Sequence, residues 1–174
     1  IDEIYRVKNT GEKFVLSSGH AGLALYCVIE KYEGIDAEKI FEHHGVHPDR
    51  CKECYIDCSS GSLGHGLPVA VGMALADRSK NVYCLISDGE CMEGSISEAL
   101  RIANQQALNN LKVYINYNGW GAYHIIALND LPSQYMNIKI IETNVEQLPF
   151  LKGQDAHYHV MNLTDYEMAM EILR

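Results

Sequence analysis

Two apolar runs, NVYCLI and LKVYINY, flank a segment in which Ile96, Ala99, Leu100, Ala103 and Ala107 recur at helical spacing. The first run is too evenly apolar to face water on either side, and the second reads as another buried strand. Strand, helix and strand at this spacing predict a right-handed βαβ unit, which puts both strands in one parallel sheet. The runs end in Asp88-Gly89 and Asn118-Gly119. Ligands of open parallel sheets bind beyond the carboxyl ends of the strands, so a carboxylate and an amide oxygen are expected side by side there. Both are hard donors suited to Mg2+ or Ca2+, and Mg2+ usually completes its shell with substrate phosphates and water. Gly89 and Gly119 are expected to allow tight turns and close backbone approach. The same dipeptides also occur in plain turns, so the pair alone leaves that simpler reading open.

The rest of the chain extends the α/β pattern. Residues 21–32 predict a helix with Leu25, Val28 and Ile29 on one face, and 35–43 a shorter one. In GSLGHGLPVAVGMALADRSK the small residues Ala70, Gly72, Ala74 and Ala76 suit a helix packed closely on a sheet. MNIKIIET predicts a further strand, and residues 165–173 a helix capped by Thr164. The expected fold is a three-layer α/β architecture with a mainly parallel central sheet. With 174 residues and 47% hydrophobic content, one domain over 1–174 is expected. A formal net charge of -9 and a pI near 5.3 argue against a phosphate-backbone surface and hence against nucleic acid. No apolar run approaches the roughly 20 residues of a membrane-spanning helix, and IDEIYRVKNTGEK has no signal-peptide core. Of six cysteines, Cys27 and Cys84 lie in apolar segments where a small buried thiol fits, and a reducing cytoplasm is expected.

FVLSSGHAGLALY, GSLGHGLPVAVGMALA, SDGECMEGSISEA and YNGW follow one another in the chain. In these four ordered blocks the sequence resembles the cofactor-binding half of transketolase. The likeness continues more faintly in IKIIETN and AHYHV and covers most of residues 14–160. It implies the thiamine diphosphate-binding fold in its diphosphate-binding form. It also implies thiamine diphosphate held through Mg2+ or Ca2+, with Asp88 and Asn118 as side-chain ligands and the main-chain oxygen of Trp120 as a third. By the same resemblance, the Gly89 backbone reaches the diphosphate, and the main chain of Gly61 and Leu63 lies along the aminopyrimidine. His20, His47 and His157 match histidines around the diphosphate, thiazolium and bound sugar, and Glu93 matches a carboxylate linking paired active sites. None of these roles follows from spacing alone. The cofactor supplies the carbanion and electron sink, leaving orientation, charge neutralisation and proton handling to the protein. Imidazoles near neutral pH can donate to sugar oxygens or stabilise a developing alkoxide. Outside the blocks a histidine defaults to a surface or satisfied core residue, and Glu93 also suits a helix N-terminus.

The sequence departs from the family at several points. Ser87 replaces the usual glycine, His65 a glutamine and Ala156 a tryptophan. Thirteen residues precede Phe14, where the family carries further helices and another substrate-facing histidine, and the stretch between Trp120 and Ile138 is compressed. A pyrimidine-binding domain, with the glutamate that protonates the aminopyrimidine, is not contained in these residues and is expected on a partner chain. The expected function is the diphosphate- and metal-binding subunit of a split transketolase, most simply a heterotetramer, moving a two-carbon ketol group between sugars or sugar phosphates. The alternatives are a non-catalytic thiamine diphosphate-binding or scaffold protein, and a subunit acting on a nucleotide-linked sugar or 2-oxo acid. GSLGHGL favours transketolase over the decarboxylases. His43, His44, His47, Cys51, Cys54 and Cys58 offer a rival zinc reading, but a structural zinc site usually pairs two ligand motifs and only one CxxC is clear, so a reduced loop is expected. Redox use of the CxxC is disfavoured because it neither follows a strand nor opens an evident helix.

Overall fold

In the computed structural model, which describes all residues except 122, 123, 133, 134, 136, 145, 146, 152, 154, 155, 157, 158 and 174, four parallel strands form one sheet. Its strands are β1 (Lys13–Leu16), β2 (Val82–Ser87), β3 (Leu111–Tyr117) and β4 (Ile138–Glu142), in spatial order β1-β2-β3-β4. The helices are α1 (Asp2–Val7), α2 (Gly22–Glu33), α3 (Ala37–His44), α4 (Gly66–Ala76), α5 (Gly94–Gln105) and α6 (Leu163–Ile172). Residue alternation along the strands supplies two cores. Val15, Val82, Cys84, Ile86, Val113 and Ile115 join Leu67, Ala70, Ala74, Ile96 and Leu100 from α4 and α5. Phe14, Leu16, Tyr83 and Leu85 face the opposite way and join Ile4, Leu25, Tyr26, Ile29 and Ile40 from α1–α3. The expected three-layer α/β fold is present.

β2 is buried along nearly its whole length, as a strand covered on both faces must be. β3 differs from expectation: Leu111, Val113 and Ile115 are buried, whereas Lys112, Tyr114 and Asn116 are only half-buried. Ala70 and Ala74 are buried in α4, but Gly72 and Ala76 face outward. Cys84 is fully buried as expected, whereas Cys27 lies on the exposed side of α2. Asn162, not Thr164, caps α6: its side chain accepts from the Asp165 N–H at 3.0 Å, while Asp165 accepts from the Asn162 N–H at 3.1 Å. Thr164 lies two positions beyond the cap, inside the helix. Among the described residues, no helix is long and apolar enough to cross a membrane.

Candidate functional site

The C-terminal edge of β2 and β3 joins Asp88 and Asn118 through backbone bonds. Ser87 pairs with Asn116 in the parallel ladder, and the Asp88 N–H donates to the Asn116 carbonyl at 3.0 Å. Asp88 is 1% exposed, and its carboxylate accepts N–H bonds from Gly89 at 2.9 Å, Asn118 at 2.9 Å and Gly119 at 2.8 Å. Such bonds offset the cost of burying the charge. Among the described residues no Lys or Arg forms an ion pair with it. A carboxylate offers about four acceptor positions, so roughly one remains open. Asn118 is exposed, and its Oδ1 accepts the Trp120 N–H at 2.8 Å while keeping a second lone pair. The Ile126 N–H donates to the Gly119 carbonyl at 2.9 Å. Gly119, at φ +81°, needs the freedom expected of it; Gly89 does not, because it sits without positive φ in a short 3-10 turn.

Glu90 is the residue that sequence reasoning missed. It is fully buried two positions beyond the metal-ligand candidate. Oε1 accepts from Ser17 Oγ at 2.6 Å and the Gly64 N–H at 3.0 Å, while Oε2 accepts the Ser87 N–H at 3.0 Å. One carboxylate therefore ties the end of β1, the glycine-rich loop and the end of β2 together. Ser17 Oγ also accepts the Gly66 N–H at 3.1 Å, and Ser95 Oγ donates to the Gly64 carbonyl at 2.8 Å. The only sequence signal was an acid inside a turn bounded by a buried strand and an amphipathic helix.

Close backbone packing brings the described members of the remaining set to this edge. His20 is exposed on the 3-10 turn after β1, beside Gly19, where an added Cβ would lie 2.7 Å from the Gly61 nitrogen. His47 is exposed, and its ring would lie 3.4 Å from a Cβ placed on Gly61. Gly61 and Leu63 are both exposed on the glycine-rich loop. Glu93 is exposed at the start of α5, its Cβ 2.8 Å from the position of a Cβ on Gly64. Trp120 is 42% exposed beside Asn118. His157 lies outside the described residues. Cys51 and Cys54 are joined as a disulfide, so the expected wholly reduced loop is not what the structure contains: the turn between residues 51 and 56 brings the two sulfurs together.

A parallel sheet between helical layers, with a buried aspartate and an asparagine at neighbouring strand ends, defines an open α/β domain with its candidate site at the C-terminal edge. Residues 8–139 match the family model described as transketolase, thiamine diphosphate binding domain. Ferredoxin fas2 of Rhodococcoides fascians is 40% identical over 62% of this chain and 39% of its own length. Transketolase of Pongo abelii is 39% identical over 63% of this chain and 19% of its own. The 6-deoxy-6-sulfo-D-fructose transketolase subunit SqwG of Clostridium sp. is 38% identical over 62% of this chain and 42% of its own. The matched stretch thus spans less than half the length of each of these relatives. The crystal structure of transketolase from Campylobacter jejuni shares the fold, with a TM-score of 0.61 and 24% identity over 72% of this chain and 24% of that one. The chain belongs to the transketolase thiamine diphosphate-binding domain family.

Proposed function

We propose that residues 1–174 act as one compact diphosphate-binding domain, serving as the cofactor- and metal-binding subunit of a cytoplasmic transketolase-like enzyme. A separate pyrimidine-binding subunit completes it, most simply as a heterotetramer, and the complex transfers a two-carbon ketol group between sugars or sugar phosphates. The observation that carries this reading is the buried Asp88 carboxylate, held by three backbone N–H groups and with no cationic partner among the described residues, beside the amide of Asn118. This donor set fits a hard divalent ion, Mg2+ or Ca2+, with Asp88, Asn118 and the main-chain oxygen of Trp120 as ligands.

Bound thiamine diphosphate supplies the carbanion and electron sink. The chain's residues then orient, neutralise charge and handle protons. Asp88 and Asn118 would hold the ion that neutralises the diphosphate, and Gly89 would offer its backbone to the same group. Gly61 and Leu63 present main chain to the aminopyrimidine. His20, His47 and His157 donate to, or exchange protons with, diphosphate and sugar oxygens, and Glu93 couples paired sites. Support comes from family membership and from the convergence of the described members of this set on one edge; SqwG, a named transketolase subunit, is a relative that is itself a subunit.

Affinity purification of the chain from its own cells, with thiamine diphosphate and Mg2+ present, tests the assembly. A stoichiometric partner with a pyrimidine-binding domain, in a complex that transfers ketol groups, is expected. Recovery of the chain alone, still binding cofactor, would contradict the split-enzyme reading.

A further inference from the structure

The Cys- and His-bearing segment after α3 is built more tightly than a connecting loop requires. Cys51 and Ile56 pair in both directions, with N–H to carbonyl distances of 3.0 and 2.8 Å. Tyr55, directly after the second cysteine, takes φ +58°, which a bulky side chain rarely adopts and which closes the turn. The Cys54 N–H donates to Cys51 Sγ at 3.2 Å. His44, from the last turn of α3, places Nε2 3.4 Å from Cys54 Sγ. One ligand atom from each of His44, Cys51 and Cys54 lies within 4.8 Å of the other two. The turn is also anchored to the sheet: Asp57 accepts from Lys13 Nζ at 2.6 Å and from the Phe14 N–H at 3.0 Å.

We propose that His44, Cys51 and Cys54 bind a thiophilic divalent cation, Zn2+ by its chemistry, clipping the end of α3 to the 51–56 turn. Zinc–sulfur and zinc–nitrogen bonds of about 2.3 and 2.0 Å put neighbouring tetrahedral ligands roughly 3.5 Å apart, close to the His44–Cys54 separation. All three residues are half-buried, so solvent has access to a fourth ligand position. Cys58 does not supply it: this buried thiol donates to its neighbour's carbonyl, that of Ser59, at 3.1 Å. The structure joins Cys51 and Cys54, so the site forms from the reduced state. A dithiol that leaves as its own disulfide delivers two electrons and two protons to give two thiols, and metal binding then releases both thiol protons. A purely redox CxxC is disfavoured because such a motif works at a helix N-terminus, whereas this one closes a turn and has an imidazole from another element at its sulfur.

The site is separate from the Asp88–Asn118 pair and does not rest on the cofactor reading. It clamps both ends of residues 45–50, the segment that carries His47 toward Gly61.

The test is a Co2+ and Zn2+ titration of the dithiol-reduced full chain. One ion per chain is expected, with thiolate-to-Co2+ charge-transfer absorption and ligand-field bands of a tetrahedral site. The double variant Cys51→Ser with Cys54→Ser should abolish the charge-transfer band, and Cys27→Ser should leave it unchanged. His44→Gln should weaken Zn2+ binding by more than the roughly 10–100-fold lost when only a group hydrogen-bonded to a ligand is removed. The proposal is overturned if the reduced wild-type chain binds no ion, if the band survives substitution of both Cys51 and Cys54 by serine, if His44→Gln leaves the affinity unchanged, or if the dithiol fails to open the Cys51–Cys54 bond. The wild-type titration decides by itself should a variant fail to fold.

Discussion

Two acids within three residues do different work. Asp88 presents a carboxylate at the strand end, and Glu90 turns inward to hold Ser17, Gly64 and Ser87. Removing Glu90 leaves the buried Ser17 hydroxyl and Gly64 N–H and the half-buried Ser87 N–H without this acceptor, at about 1–3 kcal/mol for each buried donor. Glu90→Ala should therefore destabilise the chain by about 3 kcal/mol or more, read as a lower denaturant midpoint with an unchanged slope. A change below about 1 kcal/mol would mean that the donors find other partners. Asp88 and Asn118 were legible in the sequence because each follows an apolar run and precedes glycine. Glu90 was not, because its partners Ser17 and Gly64 lie 73 and 26 positions away and only the folded chain brings them close.

Close packing of loops and helix ends holds the site's shape alongside the Glu90 carboxylate. A Cβ on Gly19 would meet the Gly61 backbone at 2.7 Å, whereas one on Gly72, in α4, would meet nothing within 4 Å. Gly19→Ala should cost about 1–3 kcal/mol through overpacking. Gly72→Ala should stabilise by roughly 0.4–1 kcal/mol through reduced chain entropy, so thermal melts of the two variants should move in opposite directions. At α6, the Asn162 N–H first and His159 second hold the Asp165 carboxyl below the usual carboxylate range. Because folding lowers this pKa, the stabilisation is complete above the ordinary carboxylate value, near 4, and is lost as pH falls through the lower folded value. Amide exchange of α6 should thus lose protection at acid pH in the native chain, and Asp165→Asn should flatten that dependence. The longer helices and β2–β4 were legible from periodicity. The six-residue α1 and four-residue β1 were too short to show a period, and the α6 boundary slipped because Thr164 and Asn162 are both good caps.

Across the whole molecule, the order β1-β2-β3-β4 puts the loops after β1, β2 and β3 on one edge, and the glycine-rich loop crosses it between them. That placement turns scattered motifs into one surface, and it explains why block order along the chain carried more information than any single residue type. In the proposed function, Asp88 holds thiamine diphosphate through a divalent ion. The most direct test is thermal unfolding of the protein as isolated from its own cells, wild type against Asp88→Ala, with thiamine diphosphate in the presence of Mg2+ or of a chelator. At ligand a hundredfold above Kd, about 2.7 kcal/mol of stabilisation is expected. For a domain of this size that raises Tm by roughly 5–10 °C. The account predicts this rise only for the wild type and only with the ion; an equal rise in Asp88→Ala, or one that survives the chelator, would contradict it.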